Sequence, residues 1–241
     1  MNFELGSDEE ALIEAVRDAL SRTDTLAAAR STLDGAPPVH LWKEAVRGGW
    51  TDMPGLLYAV LVLIECGRRL APTGLLGHLT VTSVLRDPAL LDGTHRAAYI
   101  PASGAEYVPD AVGADVFVVG TADGLFRAED VTVTPVGEYD PSRPLGTVHF
   151  RLGEAIPGDV WHAENVGQTL LAAEALGAAE AALHMAVEHA KQRKAFGRAI
   201  GLGASPCSWG QKTTAPTATA TRMAAATAIF GRRELRPGSR R

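Results

Sequence analysis

The sequence predicts an α+β protein built in three parts: an N-terminal helical domain, a small middle β domain and the start of a C-terminal helical bundle. Two observations carry this. Apolar residues recur at helical spacing over the first ninety residues, alternate as in strands between about 97 and 152, and return to helical spacing after Trp161. A charge break then marks Gly201: residues 201–241 carry seven Lys and Arg against a single Glu, in a chain whose net charge is −5. The divisions drawn from these signals are 1–95, 96–160, 161–201 and a basic tail at 202–241.

Each element follows from local chemistry. Ser7 with Glu10 reads as a capping box, and Leu12, Ile13, Val16 and Leu20 form an apolar stripe, so a helix is predicted over 7–21. Pro37-Pro38 and Gly48-Gly49 bracket a short second helix with Leu41, Trp42, Ala45 and Val46. A third helix is expected over about 55–70, and a fourth from near Gly74 that stops before Pro88. Val116 to Val119, an Asp123-Gly124 turn, Leu125 to Ala128, alternating Val131 and Val133, and Val148 with Phe150 then read as short strands. So small a sheet needs helical layers packed against it. From about Glu164 to Phe196, Leu176, Leu183, Val187 and Ala190 outline the apolar face of a long helix.

Composition narrows the function classes. With 241 residues and 46% hydrophobic content the chain can bury a real core. Cys66 and Cys207 allow at most one bridge, and the acidic start at Glu4, Asp8, Glu9 and Glu10 is unlike a signal peptide, so a reducing cytoplasm is expected. The longest strongly apolar run, Leu56 to Ile64, is far short of the roughly 20 residues that span a bilayer. No membrane partner is expected. In the tail, Thr213, Thr214, Thr217, Thr219, Thr221 and Thr227 alternate with alanines before Arg232, Arg233, Arg236, Arg240 and Arg241. It has no aromatic platform, so nucleic-acid binding is not expected of it. A poorly ordered segment and an off-frame GC-rich coding stretch both account for its bias.

The stretch Lys191-Gln192-Arg193-Lys194-Ala195-Phe196-Gly197-Arg198 has two readings. In one, the cations complement the negative end of a helix and Gly197 stops it. In the other, a cation and a ring at a helix exit hold a flat anionic cofactor. His184, Glu188 and His189 fit no zinc spacing and read as a solvated helix face, so no metal is assigned.

The second reading is carried by a resemblance. The run Ala173-Glu174-Ala175-Leu176-Gly177-Ala178-Ala179-Glu180, then Glu188-His189-Ala190-Lys191-Gln192-Arg193, then Phe196-Gly197-Arg198-Ala199-Ile200-Gly201, resembles the long helix and corner of the acyl-CoA dehydrogenase family. Glu65-Cys66-Gly67-Arg68-Arg69-Leu70-Ala71-Pro72 resembles the end of a helix in its N-terminal domain. Ala114 to Val119 and Asp140-Pro141-Ser142-Arg143-Pro144-Leu145 resemble strands and a turn of its middle domain. The resemblance is read as ending at Gly201, which makes the chain similar to a short or C-terminally truncated member.

It implies a reaction in which a base takes the proton next to a thioester carbonyl while a hydride passes from the neighbouring carbon to FAD. It further implies that Arg193 and Phe196 contact the FAD of a neighbouring subunit, the arginine toward the pyrophosphate and the ring toward the flavin. An acyl-CoA substrate, a homo- or hetero-oligomer with a paralogous subunit, and electron-transfer flavoprotein as acceptor are the implied partners. The base is not assigned. Where family members carry it near the start of the long helix, the matching position here is Gly167, and glycine takes no proton. Glu164 and Glu174, three and seven residues away, are either substitutes or solvated surface carboxylates. Ser103-Gly104 is either a remnant of a flavin loop or a plain turn. Three functions stay open: an acyl-CoA dehydrogenase completed by another subunit, a noncatalytic partner lending Arg193 and Phe196, and an inactive truncated product.

Overall fold

A computed structural model of the chain describes residues 4–34, 39–136, 140, 143–195 and 198–202. The described residues divide into two compact units, one within 9–181 and the other from 4–8 with 182–202.

The larger unit starts with helices. α1 (Ser7–Ser21) buries Ile13, Val16 and Leu20, three of the four residues of the predicted stripe. Ser7 is already inside the helix and its hydroxyl donates to Asp8 (3.4 Å), not across the expected capping box. α2 (Thr25–Leu33) escaped the sequence reading because it lacks an apolar stripe; Asp24 starts it by accepting the Ala27 N–H at 3.0 Å. After α3 (Trp42–Arg47), α4 (Leu56–Arg69) is buried from Leu61 through Gly67 and ends on a left-handed Leu70, two residues before Pro72. α5 (Leu75–Thr82) is wholly buried. Pro88, expected to lie beyond the last helix, instead opens the short α6 (Pro88–Leu91), where Asp87 caps and a missing N–H costs nothing.

The middle part is a five-stranded sheet in the order β1-β3-β4-β5-β2. β1 (Ala97–Ile100) runs parallel to β3 (Val116–Thr121), and the other pairings, which include β2 (Val108–Pro109), are antiparallel. β4 (Gly124–Val136) and β5 (Leu145–Ile156) form a long hairpin with two register shifts. β1 was not anticipated, since four consecutive buried residues give no alternation to read. Alternation does hold in β3: Val118 packs with Val81, Leu125 and Ala163 on one face, while Phe117 and Val119 pack with Val108 and Val148 on the other.

α7 (Val160–Gln192) begins at Asp159, whose carboxylate accepts the Trp161 N–H (2.9 Å). Its buried stripe is Ala163, Val166, Leu170, Ala173 and Gly177; Val166, Leu170 and Ala173 join the α1–α4–α5 core, and Ala163 packs on the sheet side. The stripe expected further along is not buried: Leu183 is 67% and Val187 43% exposed. By length and composition alone α7 also passes for a membrane span, yet it packs against α4 and carries Glu174 and Glu180 in ion pairs.

α4 and α7 touch backbone to backbone. A Cβ on Gly67 would lie 1.9 Å from the Glu174 carbonyl oxygen, and one on Gly177 would lie 1.9 Å from that of Ile64. Beside this crossing the buried Glu65 carboxylate accepts both Arg17 nitrogens (2.9 and 3.0 Å) and Arg68 Nε (3.2 Å), and Arg68 reaches on to Glu180.

In the smaller unit the chain leaves α7 and reverses through a two-stranded ladder, β6 (Lys194–Ala195) against β7 (Arg198–Ala199), before the single turn Ile200–Leu202. The Ile200 N–H donates to the Arg193 carbonyl at 2.8 Å. The basic tail from 203 onward lies outside the described residues.

Candidate active site

A cavity of about 260 Å³ opens where α5, the end of β1 and α7 meet, all within the larger unit. α5 is held against β1 because Gly77 has no side chain: a Cβ there would sit 3.1 Å from the Ala98 Cα. His78, next in α5, accepts the Ala97 N–H on Nδ1 (3.3 Å); burial holds its pKa down at about 4, so the ring is neutral. α7 forms the opposite wall with Glu164, Gly167 and Gln168. Most of the exposed lining is apolar, with the Thr80 hydroxyl, Tyr99 phenol and Glu164 carboxylate as polar points, the composition expected of a small-molecule pocket.

The two carboxylates weighed as bases part company here. Glu164 lines the cavity, and its Oε1 accepts the Tyr99 hydroxyl and the Ala102 N–H, both at 3.1 Å. Burial and this carboxylate push the Tyr99 phenol upward, so it stays protonated and donates. Glu174 is absent from the lining and pairs with Arg143, which also faces Asp110 (3.9 Å). Asp110 in turn accepts the Gly77 N–H (3.2 Å). Neither glutamate is a solvated surface carboxylate. Arg143, in the turn before β5, thus fastens that turn to α7.

Burial pushes the Glu174 carboxyl up to about 7, against the opposing pull of Arg143. A carboxyl raised on folding contributes its stability at low pH, below its unfolded range, and loses it as pH climbs through about 7. Urea midpoints should therefore fall between pH 5 and pH 8 by an amount worth on the order of 2 kcal/mol from this group. Glu174→Gln should flatten that part of the profile, and an unchanged slope would contradict it.

The other site residues are divided. Arg193 stands at the α7 exit with its side chain exposed and in no ion pair among the described residues. Phe196 and Gly197 lie outside the described residues. Ser103 lines the cavity, while Gly104 (φ 144°) donates its N–H to Pro101 O (3.1 Å), which makes the segment a turn that also borders the site. Gly167 is part of the wall, so the position without a proton acceptor does face the cavity. Glu188 pairs with Lys191 (2.7 Å). The sequence did not single out Tyr99 or Thr80; no local pattern marks them, because their role depends on what packs opposite.

The family described as acyl-CoA dehydrogenase, C-terminal domain, matches residues 162–230, which begin in α7. Acyl-CoA dehydrogenase IpdE2 of Mycobacterium tuberculosis is 36% identical over 150 residues, covering 59% of this chain and 47% of that protein. The chain is similar to acyl-CoA dehydrogenases over these stretches. It spans about half the length of the curated acyl-CoA dehydrogenases it matches. Butyryl-CoA dehydrogenase of Megasphaera elsdenii shares the fold at 18% identity, with a TM-score of 0.65 over 95% of this chain and 78% of that one. The ChsE4-ChsE5 complex of Mycobacterium tuberculosis does so at 19% identity, TM-score 0.64, over 83% and 71%. The α+β architecture is therefore that of an acyl-CoA dehydrogenase. One expectation is corrected: the acyl-CoA dehydrogenase match continues to residue 230, well past Gly201.

Proposed function

We propose that this chain is a subunit of a flavin-dependent acyl-CoA dehydrogenase that introduces an α,β double bond into an acyl-CoA thioester in the cytoplasm. Its site would be completed by a second, homologous subunit. The observation that carries the reading is the cavity itself, whose far wall is the helix that matches the family. Its apolar lining suits the acyl portion of a thioester, and Thr80, Tyr99 and Glu164 supply the polar points that orient one.

FAD, when bound, would accept the hydride, and electron-transfer flavoprotein would reoxidise it. Of the residues in this chain, Arg193 fits the diphosphate, because its guanidinium is exposed and committed to no carboxylate among the described residues. Phe196 is assigned to the flavin ring on the strength of its place in the same motif.

A noncatalytic partner subunit is the second reading, favoured by one observation. Gly167 faces the cavity where a carboxylate would be wanted.

Purification alone and after co-expression with a full-length paralogue separates the two. Visible flavin absorbance in the chain by itself supports a self-sufficient site; colour that appears only with the paralogue supports the partner role. Arg193→Ala should weaken FAD retention about tenfold in the flavin-bearing assembly, measured by fluorescence on dilution. Undiminished retention removes Arg193 from the site.

A further inference from the structure

Glu164 carries the one carboxylate among the described residues that line the cavity. It is also held in place. Gly120 leaves the space for this: a Cβ there would lie 2.2 Å from the Tyr99 hydroxyl oxygen, so only a glycine lets the phenol reach Glu164. Both hydrogen bonds, from Tyr99 and from the Ala102 N–H, fall on Oε1. No hydrogen bond to Oε2 occurs among the described residues. Two donated bonds fix the direction of the carboxylate and leave Oε2 as an acceptor with an open lone pair.

Resting on the thioester reading above, we infer that Glu164 is the group that takes the Cα proton of a bound acyl thioester. Tyr99 and the Ala102 N–H act as its positioning groups. In this step the Cα–H bond breaks, the proton bonds to Oε2, and the electron pair left on Cα delocalises onto the thioester carbonyl oxygen. Run backwards in heavy water, the same step returns a deuteron to Cα, and no oxidant is consumed. Gly167 then needs no carboxylate, because the residue one turn earlier on α7 serves the same cavity.

The test uses the full chain and phenylacetyl-CoA, a thioester with acidic α-hydrogens and no hydrogen on the next carbon, so that it exchanges but is not dehydrogenated. Loss of the α-proton signal is followed by NMR in heavy water, with affinity measured in parallel by calorimetry. Wild type should exchange above the protein-free rate. Glu164→Gln keeps an acceptor for Tyr99 and Ala102 and should lower exchange ~100-fold or more with affinity held within about threefold. Glu164→Asp should fall between, and Glu174→Gln, which is away from the cavity, should match wild type. Exchange by Glu164→Gln at the wild-type rate, or wild-type binding without exchange, overturns the assignment and leaves the thioester reading standing. Failure of wild type to bind the thioester both alone and in the assembly with the co-expressed paralogue overturns both.

Discussion

Gly177→Ala is expected to cost more than about 3 kcal/mol of stability and to leave little folded protein, because the added methyl has nowhere to go. Its Cβ would lie 1.9 Å from the Ile64 carbonyl oxygen and 2.8 Å from the Arg68 nitrogen. Both neighbours are backbone of a buried helix, so relief requires α4 and α7 to separate along the stripe where Val166, Leu170 and Ala173 pack. Gly67→Ala meets the Glu174 carbonyl from the opposite side and should behave alike. Gly55→Ser is the control: a Cβ there has nothing within 4 Å, and serine caps a helix start well, so stability should stay within about 0.5 kcal/mol or rise. Thermal and urea unfolding followed by circular dichroism measure all three. A Gly177→Ala midpoint equal to wild type would mean that the crossing is looser than described.

Glu65→Ala should be nearly as damaging, at about 3 kcal/mol. The carboxylate is 1% exposed and serves Arg17 through two nitrogens and Arg68 through a third. Removing it strands the Arg68 head, whose side chain is 27% exposed, with Glu180 as its remaining carboxylate among the ion pairs seen. Arg17→Met should cost less, since Arg17 is half in solvent and Glu65 keeps Arg68. If the two variants shift the urea midpoint equally, the asymmetry of the network is wrong.

Both predictions concern residues that stood out in the sequence as parts of separate motifs. Gly67 is the third residue of the Glu65-to-Pro72 run and Gly177 sits 110 residues later, and nothing in either run announces that one opposes the other. Arg143 was legible only as part of a turn; its contact with Glu174 joins the turn to the same helix. α2 and β1 were missed for opposite reasons, the first because alanines and hydroxyls leave no stripe, the second because burial on both faces erases alternation.

The sequence by itself determined the order of helix, sheet and helix, the stripe of α1 and the cation at the α7 exit, because these are written in spacing along a short stretch of chain, and its motifs carried the family resemblance. Only the tertiary structure decided what Glu164 and Glu174 are. Ten residues apart on a helix of 3.6 residues per turn, they point about 80° away from each other. One meets the end of β1 and lines a cavity, and the other meets Arg143 and is shut in an ion pair. Which neighbour a side chain meets depends on where distant segments pack, and no local pattern carries that information.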